Sequence, residues 1–447
     1  MDRLAPRPAA ALRALEDLQE AERRGVEGDV AWRGHDASLR EVVSRLMVAA
    51  ALDEIPVEQL PSDITEIPPA LLEQIVAAAG AQPLEAAPAI AEAARRDSAM
   101  GQQPQQWSRY EHPVASTVLM GIAGRIEAAI AAFAAPPARQ SLPVRLLADG
   151  FAWTLSDRHR PAIGTLGTGQ LMASAQVTAD DSIVVLVENG LFPIAGALAQ
   201  VGVLGYQEVV EDGVLSEATV QAVSDVVASV VVLGHPLGVP VRPTPPALRP
   251  HVGAVEDAIL VFVLAHEYAH VLNGDLTAHP LAAAGWDRQP DLHERELLAD
   301  SVGLRLTMAA TAANPQLAGA ALWGPLLFLA GLEVLRRADA TMRGAVSPLV
   351  DDPAGPTPAE RVDHLVAAVT GSELVEVYAA AVRAGLGAHD AVGRARDLVL
   401  PALEEVRDEL SDLGAAAPAG YPPELVQQAV LRRLWQAVLP RVAAQGG

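Results

Sequence analysis

One short pattern constrains this chain more than any other. His266, Glu267 and His270 form H-E-x-x-H inside an apolar segment that runs from 254 to 272. Residues four apart share one face of an α-helix, so the two His can direct their imidazoles at one metal ion while Glu267 flanks it. Given 11 His and 55 acidic residues in 447, chance would produce about 0.03 such patterns. Asn273-Gly274 supplies a helix stop. The stretch predicts half of a metal site.

A catalytic zinc ion takes three protein ligands and keeps a fourth position open for water. The spacing of a metzincin would require His at position 276, where this chain has Leu276. Glu296 is the better candidate for the third ligand. Asp300 lies one helical turn later on the same face and can accept a hydrogen bond from a ligating imidazole. The predicted cofactor is therefore Zn²⁺, held by His266, His270 and Glu296.

These residues carry a family resemblance. H-E-x-x-H followed by E-x-x-A-D at 296–300 resembles the gluzincin peptidases, in which the Glu of the second motif is the third zinc ligand. Upstream, the segment 172–192 is similar to the N-A-x-A, strand, G-L-L segment of the membrane zinc peptidases that include the CAAX prenyl proteases. The resemblance implies that Ala173, Ser174 and Ala175 bind substrate.

A third match, 355–362, resembles the H-P-T-x-x-E-R-L motif of the same membrane family. Gly355 stands where that family has His, and an expected group for stabilising the oxyanion is thus missing. Arg361, His293 and Tyr268 remain as candidates for this role, and the sequence does not choose among them. Together the matches cover 172–365, under half of the chain.

Composition excludes several classes of function. The formal net charge is −23 and every basic residue is Arg, so the surface repels phosphate and we expect no nucleic-acid partner. The absence of Cys excludes disulfides, Cys-ligated zinc and a thiol nucleophile. Arg-only, Ala-rich usage is typical of high-GC bacterial coding. The partner that we expect is a peptide or protein substrate, and no feature of the sequence indicates an oligomeric state.

The sequence predicts a cytoplasmic protein without a membrane span. Its first 24 residues contain no apolar core of a signal peptide. The longest apolar run, 317–332, is shorter than the roughly 20 residues that a span requires, so we interpret it as a buried helix.

The predicted fold class is α+β and predominantly α-helical. Hydrophobic residues make up 51% of the chain but aromatics only 4%, and the remaining Ala, Leu and Val favour helices. Segments 171–178 and 183–187 read as a β-hairpin, and the glycines of 164–169 as turns before it. The Pro-rich 235–251 reads as extended chain. The resemblance adds a zincin-like core with this small sheet beside the active-site helix.

Three regions are predicted along the chain. A helical N-terminal domain occupies 1–140, a zinc peptidase-like domain 141–370, and a C-terminal helical region 371–447. In the last region we expect a helix break at 385–387, where two Gly flank a Leu.

The sequence thus leads to two hypotheses. The first is a zinc-dependent endopeptidase in which Glu267 is the general base for a metal-activated water. The alternative is a catalytically inactive, metal-stabilised interaction module with a peptidase fold, and it is motivated by Gly355 in place of the family's His.

Overall fold

The described part of the chain is mainly helical and contains one small sheet, as the sequence predicts. The computed structural model describes residues 9–26, 113–136, 140, 147, 155–156, 159–166, 171, 173–178, 181–188, 190–233, 239, 244–276, 291–312, 315–344, 355–370, 374–416 and 423–446. The first elements are α1 (Ala9–Val26), α2 (Pro113–Ala134), β1 (Ala162–Leu166), β2 (Ala173–Val177), β3 (Ile183–Glu188), α3 (Leu191–Asp212) and α4 (Glu217–Val227), which continues as a π-helical turn (Ala228–Val232). A 3₁₀ turn (Pro246–Leu248) then precedes α5 (Arg249–Asn273), α6 (Leu292–Thr311), α7 (Pro315–Ala320), α8 (Trp323–Arg343), α9 (Pro358–Thr370), α10 (Leu374–Glu405), α11 (Arg407–Ala416), α12 (Pro423–Ala443) and a last 3₁₀ turn (Ala444–Gly446).

The sheet has the strand order β1-β3-β2. The predicted hairpin is confirmed, since β2 pairs antiparallel with β3 and places Ala175 opposite Val185. Asp181 adopts a φ of 62° in its turn. The prediction of turns at 164–169 was wrong at its start, because Gly164 lies within β1 and pairs with Leu186 in a parallel ladder. A single Gly in a buried strand weakens the local pattern that would identify it.

The two faces of the sheet are covered by different parts of the chain. Val184 and Leu186 pack with Ala11 and Leu15 of α1 on one face. Val185 joins the main core on the other face. All six residues of β3 are buried, which is why its first five residues read as a continuous apolar run, and Glu188 ends it.

Helix α5 lies at the centre of the main core and is in contact with α2, α3, α6 and α8. At Gly324 of α8 the two backbones approach so closely that a Cβ would lie 2.6 Å from the carbonyl carbon of Ala258. The prediction of extended chain for the whole of 235–251 was wrong at its C-terminal end, since α5 begins at Arg249. Pro250 suits this place because the first turn of a helix needs no amide donor there.

Helix α10 continues through 385–387, where we predicted a break. Gly387 lies against the ring of Tyr206, and a Cβ there would be 2.6 Å from the ring carbons. The glycine therefore permits a close helix contact and does not end the helix. One hydrophobic core extends from Leu119 to Val442 and includes residues of all three predicted regions.

The apolar run 317–332 forms parts of α7 and α8, and most of its side chains are buried. Among the described residues, no helix combines the length and apolar character needed to cross a membrane.

Candidate metal centre

Helix α5 presents two imidazoles on one face near its C-terminus. His266 and His270 are both largely buried, with side chains 10% and 12% exposed. Their Nε2 atoms lie 3.1 Å apart. The helix ends at Gly274, which adopts a left-handed φ of 75° and whose amide donates to the carbonyl of Val271. Because the helix ends one turn after His270, the second imidazole lies at the margin of the core.

Helix α6 brings a carboxylate to the same point. Its first turn is fixed by a capping box, in which Asp291 accepts from the amide of Glu294 and Glu294 accepts from the amide of Asp291. Glu296 then places its oxygens 3.2 Å from Nε2 of His266 and 3.4 Å from Nε2 of His270. The structure therefore brings together the three predicted ligands as a group that could hold a metal ion.

The spacing of these ligand atoms fits a small tetrahedral ion. Metal–ligand bonds of about 2.0–2.1 Å in a tetrahedron place neighbouring ligand atoms about 3.3 Å apart. The two Nε2 atoms are 3.1 Å apart, which is close to this value. The contacts of 3.2 and 3.4 Å join them to different oxygens of Glu296, Oε2 and Oε1 respectively, and one ligand atom from each of the three residues lies within 4.8 Å of the others. Two imidazoles also exclude a dedicated Mg²⁺ or Ca²⁺ site, since those ions take oxygen ligands. The group matches the donor set of Zn²⁺ and its transition-metal neighbours.

Close packing of α6 on α5 determines how near Glu296 lies to the two imidazoles. Gly303 lies against the backbone of His266, where a Cβ would be 3.1 Å from both the amide nitrogen and Cα. A larger residue would have to push the helix that carries Glu296 away from the helix that carries His266.

A second carboxylate stands behind each imidazole. Oδ1 of Asp300 lies 3.0 Å from Nδ1 of His266, as predicted for this residue in general terms. Oδ2 of Asp275 lies 2.9 Å from Nδ1 of His270. Each carboxylate accepts a hydrogen bond from the Nδ1–H group, so that each Nε2 is directed at the shared centre.

Asp275 is a residue of the candidate site that the sequence did not predict. It follows Gly274 directly, and its amide donates to the carbonyl of His270 at 3.1 Å. The left-handed glycine turns the chain back over the last helical turn and brings the Asp275 side chain to His270. An acidic residue immediately after a helix-stopping glycine, five positions past a ligand, is the pattern that would have identified it.

Asp275→Asn is expected to weaken metal affinity about tenfold, within the range of about 10 to 100-fold for loss of such a carboxylate. The amide oxygen of Asn can still accept from Nδ1, but it carries no charge, and a dication gains more from that charge than a proton does. Competition with a chelator measures the effect. Asp412→Asn, an exposed change on α11 with the same effect on net charge, should leave affinity unaltered, and equal losses in both variants would contradict a local role.

Arg361 of α9 binds Asp300 through the Nε and Nη2 side of its guanidinium group. Its Nε and Nη2 donate to the two oxygens of Asp300 at 2.7 and 2.6 Å. Burial opposes ionisation of Asp300, yet Arg361 and His266 outweigh it and hold the pKa of this carboxyl below its ordinary value. Nη2 also lies 3.5 Å from Nδ1 of His266. The geometry gives Arg361 a positioning role toward His266 through Asp300.

The other two candidates for transition-state stabilisation occupy different places. Tyr268 is fully buried, and its hydroxyl donates to Glu127 of α2 at 2.8 Å, so it points away from the metal ligands. His293 is half-buried in the first turn of α6, three positions before Glu296 and on the same helix face. Its charge helps to lower the pKa of Glu360, after the larger effect of the Thr357 amide.

Glu267 lies next to the ligands with its carboxylate available. The residue is only 6% exposed. Its negative charge contributes to the raised pKa of His270 and of Arg361, which places it within electrostatic range of both. No side chain or amide in the described part of the chain donates a hydrogen bond to it.

Strand β2 contains the predicted substrate-binding residues and packs beside α5. Ala173 and Ala175 contact the main core, while Ser174 alternates to the other face and accepts from Gln176 at 3.3 Å. Over the described residues, β2 pairs with β3 on one side only. The central strand β3 pairs with β1 along one edge and with β2 along the other. Strand β2 is therefore the edge strand that lies beside α5.

Comparison of the chain with models of known protein families gives no match. Comparisons with characterised proteins and with solved structures give none either. Support for a metal centre therefore comes from the geometry of its own residues.

Proposed function

We propose that this protein is a zinc-dependent endopeptidase of gluzincin type. The observation that carries the proposal is the convergence of His266, His270 and Glu296 on one point, with the carboxylate of Glu267 beside them and accepting no hydrogen bond from the described residues. A purely structural zinc site is closed by four protein ligands and has no use for an additional acid. Three protein ligands leave a position for water, which is the arrangement of a hydrolytic site.

In this proposal, two carboxylates orient the imidazoles and a third carboxylate transfers the proton. Asp300 and Asp275 hold the Nδ1 protons of the two imidazoles, so that both Nε2 atoms remain available as ligands. Zinc bound there would polarise the scissile carbonyl and lower the pKa of the attacking water. Glu267 accepts the proton of that water and delivers it to the leaving amine. The low exposure of Glu267 keeps this transfer away from bulk solvent.

The substrate of this site would be an extended polypeptide segment. A strand with one unpaired edge can bind such a segment by backbone hydrogen bonds, with side chains alternating on either side. Strand β2 offers this edge next to α5, and its Ala173, Ser174 and Ala175 are small enough to admit larger side chains from a substrate.

Metal analysis of the purified protein tests the proposal. We expect about one zinc per chain, and we expect the His266→Ala, His270→Ala double variant to lose it. His251→Ala is the matched control, because His251 lies on the same helix but is exposed. Absence of bound metal in the parent protein, or full zinc content in the double variant, would refute the site.

A further inference from the structure

Helix α9 is attached to α6 at two adjacent residues. Arg361 binds Asp300, and Nε2 of His364 lies 2.7 Å from the hydroxyl of Ser301. Arg361 and His364 are three positions apart and therefore share one face of α9. Both contacts are partly buried, and each joins residues more than 60 positions apart in sequence.

The two contacts have different consequences for the metal centre. The pair of Arg361 and Asp300 fixes a carboxylate, while the buried Val362 and Leu365 pack α9 into the main core. The hydrogen bond between His364 and Ser301 adds a second polar contact to α6 and restrains the rotation of α9 at this point. Because Ser301 is the neighbour of Asp300 in α6, a displacement at this contact reaches Asp300 through one peptide unit.

Asp300 has little freedom to absorb such a displacement. It is fully buried, and one of its oxygens, Oδ1, lies 2.6 Å from Arg361 and 3.0 Å from Nδ1 of His266. A small movement of α9 therefore alters the hydrogen bond that orients a metal ligand. Positioning of this kind needs accuracy within about 0.5 Å.

We propose that His364 is a positioning residue of the metal centre, acting through Ser301 and Asp300 on His266. The residue is not a ligand, since the metal-binding group consists of His266, His270 and Glu296. The inference rests on the metal site of the proposed function, but it does not require peptidase activity, and its readout is metal affinity alone.

Zinc affinity, measured by competition with a chelator, tests the proposal in the full-length protein. We expect His364→Ala and Ser301→Ala each to lower the affinity about tenfold. The double variant should lose no more than either single variant, because both remove the same hydrogen bond. His364→Gln, which keeps a donor and acceptor at this position, should restore most of the affinity.

Thr370→Ala is the control on the same helix, since the Thr370 hydroxyl donates to Val366 within α9 and does not contact α6. A thermal melt of each variant separates positioning from general stability. Lower melting temperatures with parental zinc affinity in His364→Ala and Ser301→Ala would overturn the proposal, as would an equal loss of affinity in Thr370→Ala. If the parent protein bound no zinc, the proposed function itself would fail, and the two failures are therefore distinguishable.

Discussion

Glu267→Gln is expected to reduce peptide hydrolysis about 10² to 10⁴-fold while the metal content stays the same. Gln matches Glu in size and fits the same buried space beside His270, so we expect the fold to be unchanged. It cannot accept the proton of the attacking water. Because Glu267 is not one of the three ligands, zinc should remain bound at the parental level.

The measurement is cleavage of an unstructured protein substrate by parent and variant at equal zinc content. Glu404→Gln, an exposed change on α10, is the matched control and should retain full activity. The same experiment decides between the two hypotheses from the sequence. Cleavage that depends on Glu267 removes the interaction-module hypothesis, whereas a zinc-loaded parent protein without any Glu267-dependent cleavage would support that module and contradict the enzyme.

Part of the candidate metal-binding group could be predicted because its geometry is local. His266 and His270 belong to one helix, and the four-residue spacing alone places them on one face. Glu296 was predicted from a second helical motif. The sequence alone does not show that its helix, α6, packs on α5. That contact depends on Gly303, which admits the backbone of His266 at close range. Nothing in the local sequence around Gly303 indicates which helix it will meet.

Residues that act through tertiary contacts were harder to assign. Arg361 was one of three candidates for stabilising an oxyanion, but its partner Asp300 is 61 positions away, and no periodicity connects the two. Gly387 was interpreted as a helix break because glycine disfavours helices. In the structure its missing side chain makes room for Tyr206. In both cases packing across the core determines the role, and packing is not encoded in a window of the sequence.

The metal centre should also bind zinc in competition with a proton. Burial disfavours the cation of His270, but hydrogen bonds to Asp275 and Glu296 outweigh it and raise its pKa to about 10 in the metal-free protein. The pKa of His266 is also raised, with Asp300 and Glu296 overcoming the effect of burial. The two Nε2 atoms are 3.1 Å apart, so only one proton can lie between them. In the metal-free protein, His266 and His270 therefore share one additional proton, and the pair carries a single positive charge.

Zinc held there, as we propose, would use the same Nε2 lone pairs and would displace that proton. Because the raised pKa of His270 lies above neutrality, protons compete more strongly as the pH falls, and affinity is expected to drop about tenfold per pH unit, or roughly 100-fold from about pH 8 to pH 6. Glu296 adds nothing to this slope, since the adjacent imidazoles overcome the effect of burial and hold its pKa far below this range. Calorimetric titrations in buffers of different ionisation enthalpy should show release of about one proton per zinc near neutral pH. His251→Ala should give the same slope as the parent, whereas an affinity that is constant over this interval would mean that His270 is already neutral before the metal binds.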